Sequence, residues 1–289
     1  MKISEAIQQI KAYHHGISHG NLVDPEKTRD QVLYGDPEQE LTGIVTTCFA
    51  SYQVLEAAAK AGANLVICHE SIFWNHGDHT DWLVDNTVFQ SKKALLDQTH
   101  LVVWRDHDFI HSGIPLPDGT WADGIFYGLM QFLGWEPYLE KWHHAQPSQF
   151  LLPPATVRDL GQELIAKMHL NGIKVIGSPD SPAHRIWIPG HIMGFEDNKI
   201  LQVMEQDDID TLIVFECTDY TVSEYVRDAT QSGKSKTILA VGHFNTEEPG
   251  MWYLAQCLSK VLPGVPCRFV PSTDMYHFLT PQSGGMNHA

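Results

Sequence analysis

The sequence predicts an α/β protein made of two similar halves, each a mostly parallel sheet flanked by helices. Short β-branched and apolar runs alternate with helix-forming stretches, the order that yields parallel strands joined by helical crossovers. The same grammar returns in the last third of the chain. A length of 289 residues with 43% hydrophobic content allows one large domain or two medium ones, each with a sizeable core.

In order, MKISEAIQQIKAYHHG reads as an amphipathic helix that carries charges, so it holds neither an apolar signal core nor a cleavage site. LTGIVTTC (41–48) is strand-like, YQVLEAAAKAG (52–62) is helical with a glycine stop, and NLVICHE (64–70) is again a strand. DNTVFQSKKALLDQTH (85–100) is helical and leads to a third strand at LVVW (101–104). The later set is TLIVFEC (211–217), a helical TVSEYVRDATQSG (221–233), TILAVGH (237–243), a helical MWYLAQCLSKVL (251–262) and CRFV (267–270). Proline- and glycine-rich segments around the helix RDLGQELIAKMHL connect the two sets. The expected division is an N-terminal half over 1–135, followed by the connecting region and C-terminal half over 136–289.

Charge narrows the partners. Thirty-five acidic against 19 basic residues give a formal charge of −16 with no basic stripe, which argues against nucleic acid and against an anionic membrane surface. Five cysteines without CxxC pairing suit a reducing interior, and no apolar run reaches the ~18 residues of a spanning helix. A cytoplasmic protein acting on a small molecule is the expectation. Seventeen histidines are many beside so few basic residues, and histidine is the commonest metal ligand.

In open parallel sheets ligands bind beyond the carboxyl ends of the strands. Those ends carry His69-Glu70, Arg105-Asp106-His107-Asp108, Glu216, and His243 with Glu247 four residues on. Taken singly, each is a hydrogen-bonded histidine or a solvated carboxylate, and Glu247 also suits the start of a helix. Together they form a mixed imidazole and carboxylate set suited to zinc, iron or manganese, and bridging carboxylates hold two cations ~3.5–4 Å apart. Other motifs fail. SGKSKT lacks the earlier glycine of a phosphate loop, and HESIF has Phe73 where the zinc-helix motif needs its second histidine.

These residues resemble the NIF-three-like, or YbgI-type, family of dinuclear metal-centre proteins, labelled homologues of the type 2 GTP cyclohydrolase I. The likeness runs through YGDPEQELTGIVTTCFASYQVLEAAAKAGANLVICHESIFW and returns in VGHFNTEEPGMWYLAQCL. The family's strand-end His-His pair matches His69 with Glu70 in place of the second histidine, and its late Gly-His-x-x-x-Glu element matches Gly242, His243 and Glu247. Its bridging aspartate maps to Asp108, with Asp106 as the alternative. The resemblance implies two divalent cations in a cleft between the halves, held by His69, Glu70, Asp108, His243 and Glu247. It also implies a homohexamer. Glu216 and His107 are the expected proton-transfer residues of a water-activating hydrolase, and a non-catalytic metal-binding interaction protein is the alternative.

Overall fold

The computed structural model describes residues 1–18, 20–194 and 198–280. Helix α1 (Ile3–Tyr13) and an edge strand β1 (Val32–Tyr34) precede a strand and helix alternation: β2 (Ile44–Thr47), α2 (Tyr52–Lys60), β3 (Leu65–Cys68), α3 (Thr87–Thr99) and β4 (Val102–Arg105). Every residue of β2, β3 and β4 is buried, as parallel strands covered on both faces require. Capping sets the helix starts: Ser51 accepts a hydrogen bond from the amide of Val54, and Asn86 from those of Val88 and Phe89. Thr47 pairs with Cys68 and Cys68 with Arg105, so the three strands end level and the loops leaving them share one edge of the sheet.

The short helix α4 (Asp108–Ser112) and the apolar α5 (Gly124–Leu133) lead to β5 (Leu139–His143), β6 (Gln146–Thr156), α6 (Val157–Met168), β7 (Lys174–Ile176) and β8 (Pro182–Ile192). Then come α7 (Asn198–Gln206), β9 (Thr211–Cys217), α8 (Val222–Gln231), β10 (Thr237–Ala240), α9 (His243–Val261) and β11 (Cys267–Phe269). The second sheet has the order β7-β10-β9-β8-β6-β5. It is parallel across β8, β9 and β10 and antiparallel at its flanks. The strand around 267–270 does not extend that sheet, as the alternating pattern suggested. It returns to the first, lying parallel to β2 in the order β11-β2-β3-β4-β1, because α9 crosses the core and delivers the chain to the open side of β2.

A single core lies between the sheets. It joins Ile44, Ile67 and Trp104 of the first sheet to Phe150, Ile186 and Ile213 of the second through α1, α5, α6 and α9. Separate clusters pack α2 and α3 on the outside of the first sheet, and α7 and α8 on the outside of the second. Where α5 crosses α9 the backbones nearly touch: a Cβ at Gly128 would stand 2.6 Å from the Gly250 Cα, and one at Gly250 would stand 2.5 Å from the Ile125 Cα. This close crossing brings the start of α9 under the end of the first sheet. Among the described residues no helix is long and apolar enough to cross a membrane, and all five cysteines are free thiols.

Candidate metal centre

The centre forms where the ends of β3 and β4 meet the first turns of α9. His69 leaves β3 fully buried, and its Nδ1 lies 3.1 Å from the carbonyl oxygen of Asp106. A carbonyl only accepts, so Nδ1 carries a proton and Nε2 is the nitrogen turned into the site. That Nε2 is buried without a hydrogen-bond partner, and Glu247 Oε1 stands 3.7 Å away. An imidazole nitrogen without a partner facing a carboxylate is costly unless a proton or a metal cation lies between them.

Two more histidines lie just past β4. His107 and His111 are four residues apart across the single turn of α4, and their side chains share one face. Both are tied at Nδ1, His107 to Asp108 Oδ1 at 2.9 Å and His111 to Asp123 Oδ2 at 2.8 Å, which leaves Nε2 of each as the free donor. Asp123 also caps α5 through the amides of Ile125 and Phe126, so the carboxylate that orients His111 is itself fixed. His69, His107 and His111 each offer a ligand atom within 4.8 Å of the others. Burial pushes the His107 ring down to about 3, so it stands neutral and able to ligate. Burial also opposes charge on His111, but the Asp123 carboxylate outweighs it and lifts the ring to about 9, so a cation binding there releases a proton.

The other side is rich in carboxylate. His69, Glu70 and Glu247 form a second group within the same 4.8 Å limit. His243 Nε2 lies 3.2 Å from Glu247 Oε2 and 3.7 Å from Glu70 Oε1, and its Nδ1 lies 3.5 Å from Glu216 Oε1. Glu247 therefore turns one oxygen to His69 and the other to His243. Burial would raise the Glu247 carboxyl, but the rings of His69 and His243 hold it well below the usual carboxylate range. Burial likewise works against charge on His243, and Glu216 and Glu247 together lift its ring to about 10. Glu216 is held down to about 2 against its burial, chiefly by His191, whose Nδ1 approaches within 2.8 Å, and by His243. His191, Glu216 and His243 make a third candidate group at the more open edge.

The structure thus brings together His69, Glu70, His243 and Glu247. Asp108 stands apart: its carboxylate accepts from Thr28 Oγ1, the Arg29 amide and His107, and it belongs to none of the three groups. Asp106 is turned away too, with its Oδ2 3.0 Å from His14 Nε2 in a fully buried pair. His107, expected as a proton shuttle, lies in the three-histidine group, and Glu216 flanks His243. Sequence reasoning missed His111 and His191. The signal for His111 was a histidine pair at i and i+4 directly after a strand, which places two imidazoles on one helix face; His191 had no local signal.

A second revision concerns α9. Sequence pattern starts that helix near Met251 because Pro249 resembles a breaker, yet it begins at His243 and carries Pro249 inside its first two turns. His243 and Glu247 are hence neighbours on one helical face.

The α/β fold described above is similar to that of the ybgI protein and of a NIF3-related protein. A Staphylococcus aureus hypothetical protein superposes with a TM-score of 0.66 at 14% identity, covering 96% of this chain and 99% of its own. The ybgI protein, of unknown function, gives 0.64 at 18% identity, covering 95% and 99%. A Bacillus cereus protein related to NIF3 gives 0.65 at 11% identity, covering 96% and 99%. Identities this low establish the fold alone. No protein-family model and no curated relative matches the chain by sequence.

Proposed function

We propose that the protein is a divalent-metal-dependent hydrolase with a dinuclear centre, in which Glu247 is shared between a histidine side (His69, His107, His111) and a carboxylate side (Glu70, His243). The observation that carries this reading is the division of Glu247, with Oε1 toward His69 and Oε2 toward His243. Imidazole and carboxylate donors suit zinc, iron(II) or manganese. Bound cations of this kind supply Lewis acidity and bring the pKa of water near neutrality, so that it attacks an electrophilic carbon or phosphorus.

The chain's own groups do the rest. Asp108, Asp123, Glu216 and the Asp106 carbonyl hold the four imidazoles in fixed orientation, so no reorganisation is needed as charge develops. His191, about half exposed and bonded to Glu216, is the imidazole at the open edge available to protonate a leaving group. The exposed edge at His191, Glu216 and His243 supports catalysis over a closed metal staple, because a structural site is sealed by protein ligands.

A small-molecule substrate, a reducing cytoplasmic setting and association of several copies belong to the same proposal. The exposed Trp82, Val84 and Val88 support association. The test is hydrolysis of phosphoester, amide and cyclic-amidine panels by metal-loaded protein, metal-stripped protein and Glu247→Ala. Activity confined to the loaded wild type is the expected result, and inactivity of all three on every panel contradicts it.

A further inference from the structure

One buried cation adjoins the carboxylate side. Arg105 closes β4 with a side chain only 1% exposed, and each of its three nitrogens makes a hydrogen bond. Nε donates to the carbonyl of His69 at 3.0 Å and Nη1 to that of His76 at 3.1 Å, while Nη2 donates to Glu70 Oε2 at 3.0 Å. Asp78 Oδ2, also buried, lies 4.0 Å from Nη1. The two carbonyls take Nε and Nη1, and the carboxylate of Glu70 takes Nη2 and pairs the buried charge. The bond to Oε2 does something further: it leaves Oε1 as the free oxygen of Glu70, and that is the one 3.7 Å from His243 Nε2.

We infer that Arg105 is a positioning residue that fixes Glu70 as a one-oxygen ligand and offsets its charge, and thereby sets the cation preference of the Glu70, His243 and Glu247 side. The inference rests on the metal-binding reading above. A guanidinium stays protonated under all ordinary conditions, so its charge is a constant part of the site. Two carboxylates face the cation on this side, and Arg105 reduces their net charge from −2 to −1. Without it, Glu70 is free to offer both oxygens, and an extra oxygen donor with uncompensated charge favours harder, oxygen-preferring cations such as manganese over zinc. The constraint acts in three dimensions, because the same guanidinium also holds the backbone of His69 on the histidine side.

The experiment is competitive Mn2+ against Zn2+ binding to metal-free full-length protein, read with a chelating indicator and by the Mn2+ paramagnetic resonance signal. Arg105→Gln is expected to raise the Mn2+-to-Zn2+ affinity ratio on the order of tenfold, and Arg105→Lys, which keeps the charge, to raise it less. In a Glu70→Gln background the Arg105→Gln shift should vanish, since the coupling runs through that carboxylate. An unchanged ratio in folded Arg105→Gln overturns the inference, as does a shift that persists without Glu70. Should Arg105→Gln not fold, Arg105→Lys decides: an ammonium lacks the guanidinium's planar set of donors for Glu70 Oε2 and both carbonyls, so the inference requires the ratio to rise above wild type, and an unchanged ratio overturns it. Wild-type protein that binds neither cation overturns the metal reading itself. That failure differs from one in which wild type binds and the variants match it.

Discussion

The two sides of the centre reach the same end by different means. On the histidine side, three imidazoles are each pinned at Nδ1 by a separate acceptor, and Glu247 is the carboxylate that faces them. On the carboxylate side one imidazole faces two carboxylates, and orientation depends on ion pairs: Glu216 to His243, and Arg105 to Glu70. The first side is a softer, all-imidazole set, and the second is a harder set that mixes imidazole with carboxylate. Both use a strand running into a helix with candidate ligands at i and i+4, His107 with His111 and His243 with Glu247. The lesson is that a shared backbone device leaves the side chains free to set each half of a centre separately.

Several substitutions break or sharpen this contrast. Glu247→Ala, which removes the group common to both sides, should abolish binding at both, measured as metal per chain after dialysis. His111→Ala should remove the histidine-side ion and spare the other. Next in size come the outer partners. Asp123→Ala should weaken histidine-side affinity about 10–100-fold, and Glu216→Gln should do the same only on the carboxylate side. Asp123→Ala should also cost about 1 kcal/mol of stability in the metal-free protein, because it uncaps α5, and chemical denaturation will show that loss.

A separate effect, outside the centre, lies beneath the loop after Glu70. Lys92 is buried with its ammonium on the Ile72 carbonyl and beside the Phe49 ring, and burial pushes its pKa down to about 8. The unfolded chain keeps that proton to higher pH than the fold does. Stability should therefore rise as pH climbs from about 8 toward 10.5, by at most about 3 kcal/mol, and below 8 the buried charge costs the fold. Lys92→Met should lose this part of the slope in denaturation curves taken across that range.

Much of this was legible in the sequence. The fully buried strands announced themselves as apolar runs, and their ends carried His69, Glu70 and Glu216 where ligands of a parallel sheet belong. His243 and Glu247 were found as a spaced pair, although Pro249 concealed that they share one helix. What stayed hidden depended on contacts across the chain. Asp108 and His111 sit three residues apart, and which of them points inward is decided by Thr28, Arg29 and Asp123, from segments distant in sequence. The return of β11 to the first sheet was equally unreadable, since nothing local in CRFV says which edge is open.

The most direct test is a crystal structure of metal-loaded protein with anomalous scattering collected at the metal edge. The account predicts one peak among His69, His107 and His111 and a second among Glu70, His243 and Glu247, with Glu247 touching both. A structure with no peak beside His69 Nε2, or with Glu247 turned away from both histidines, would contradict it.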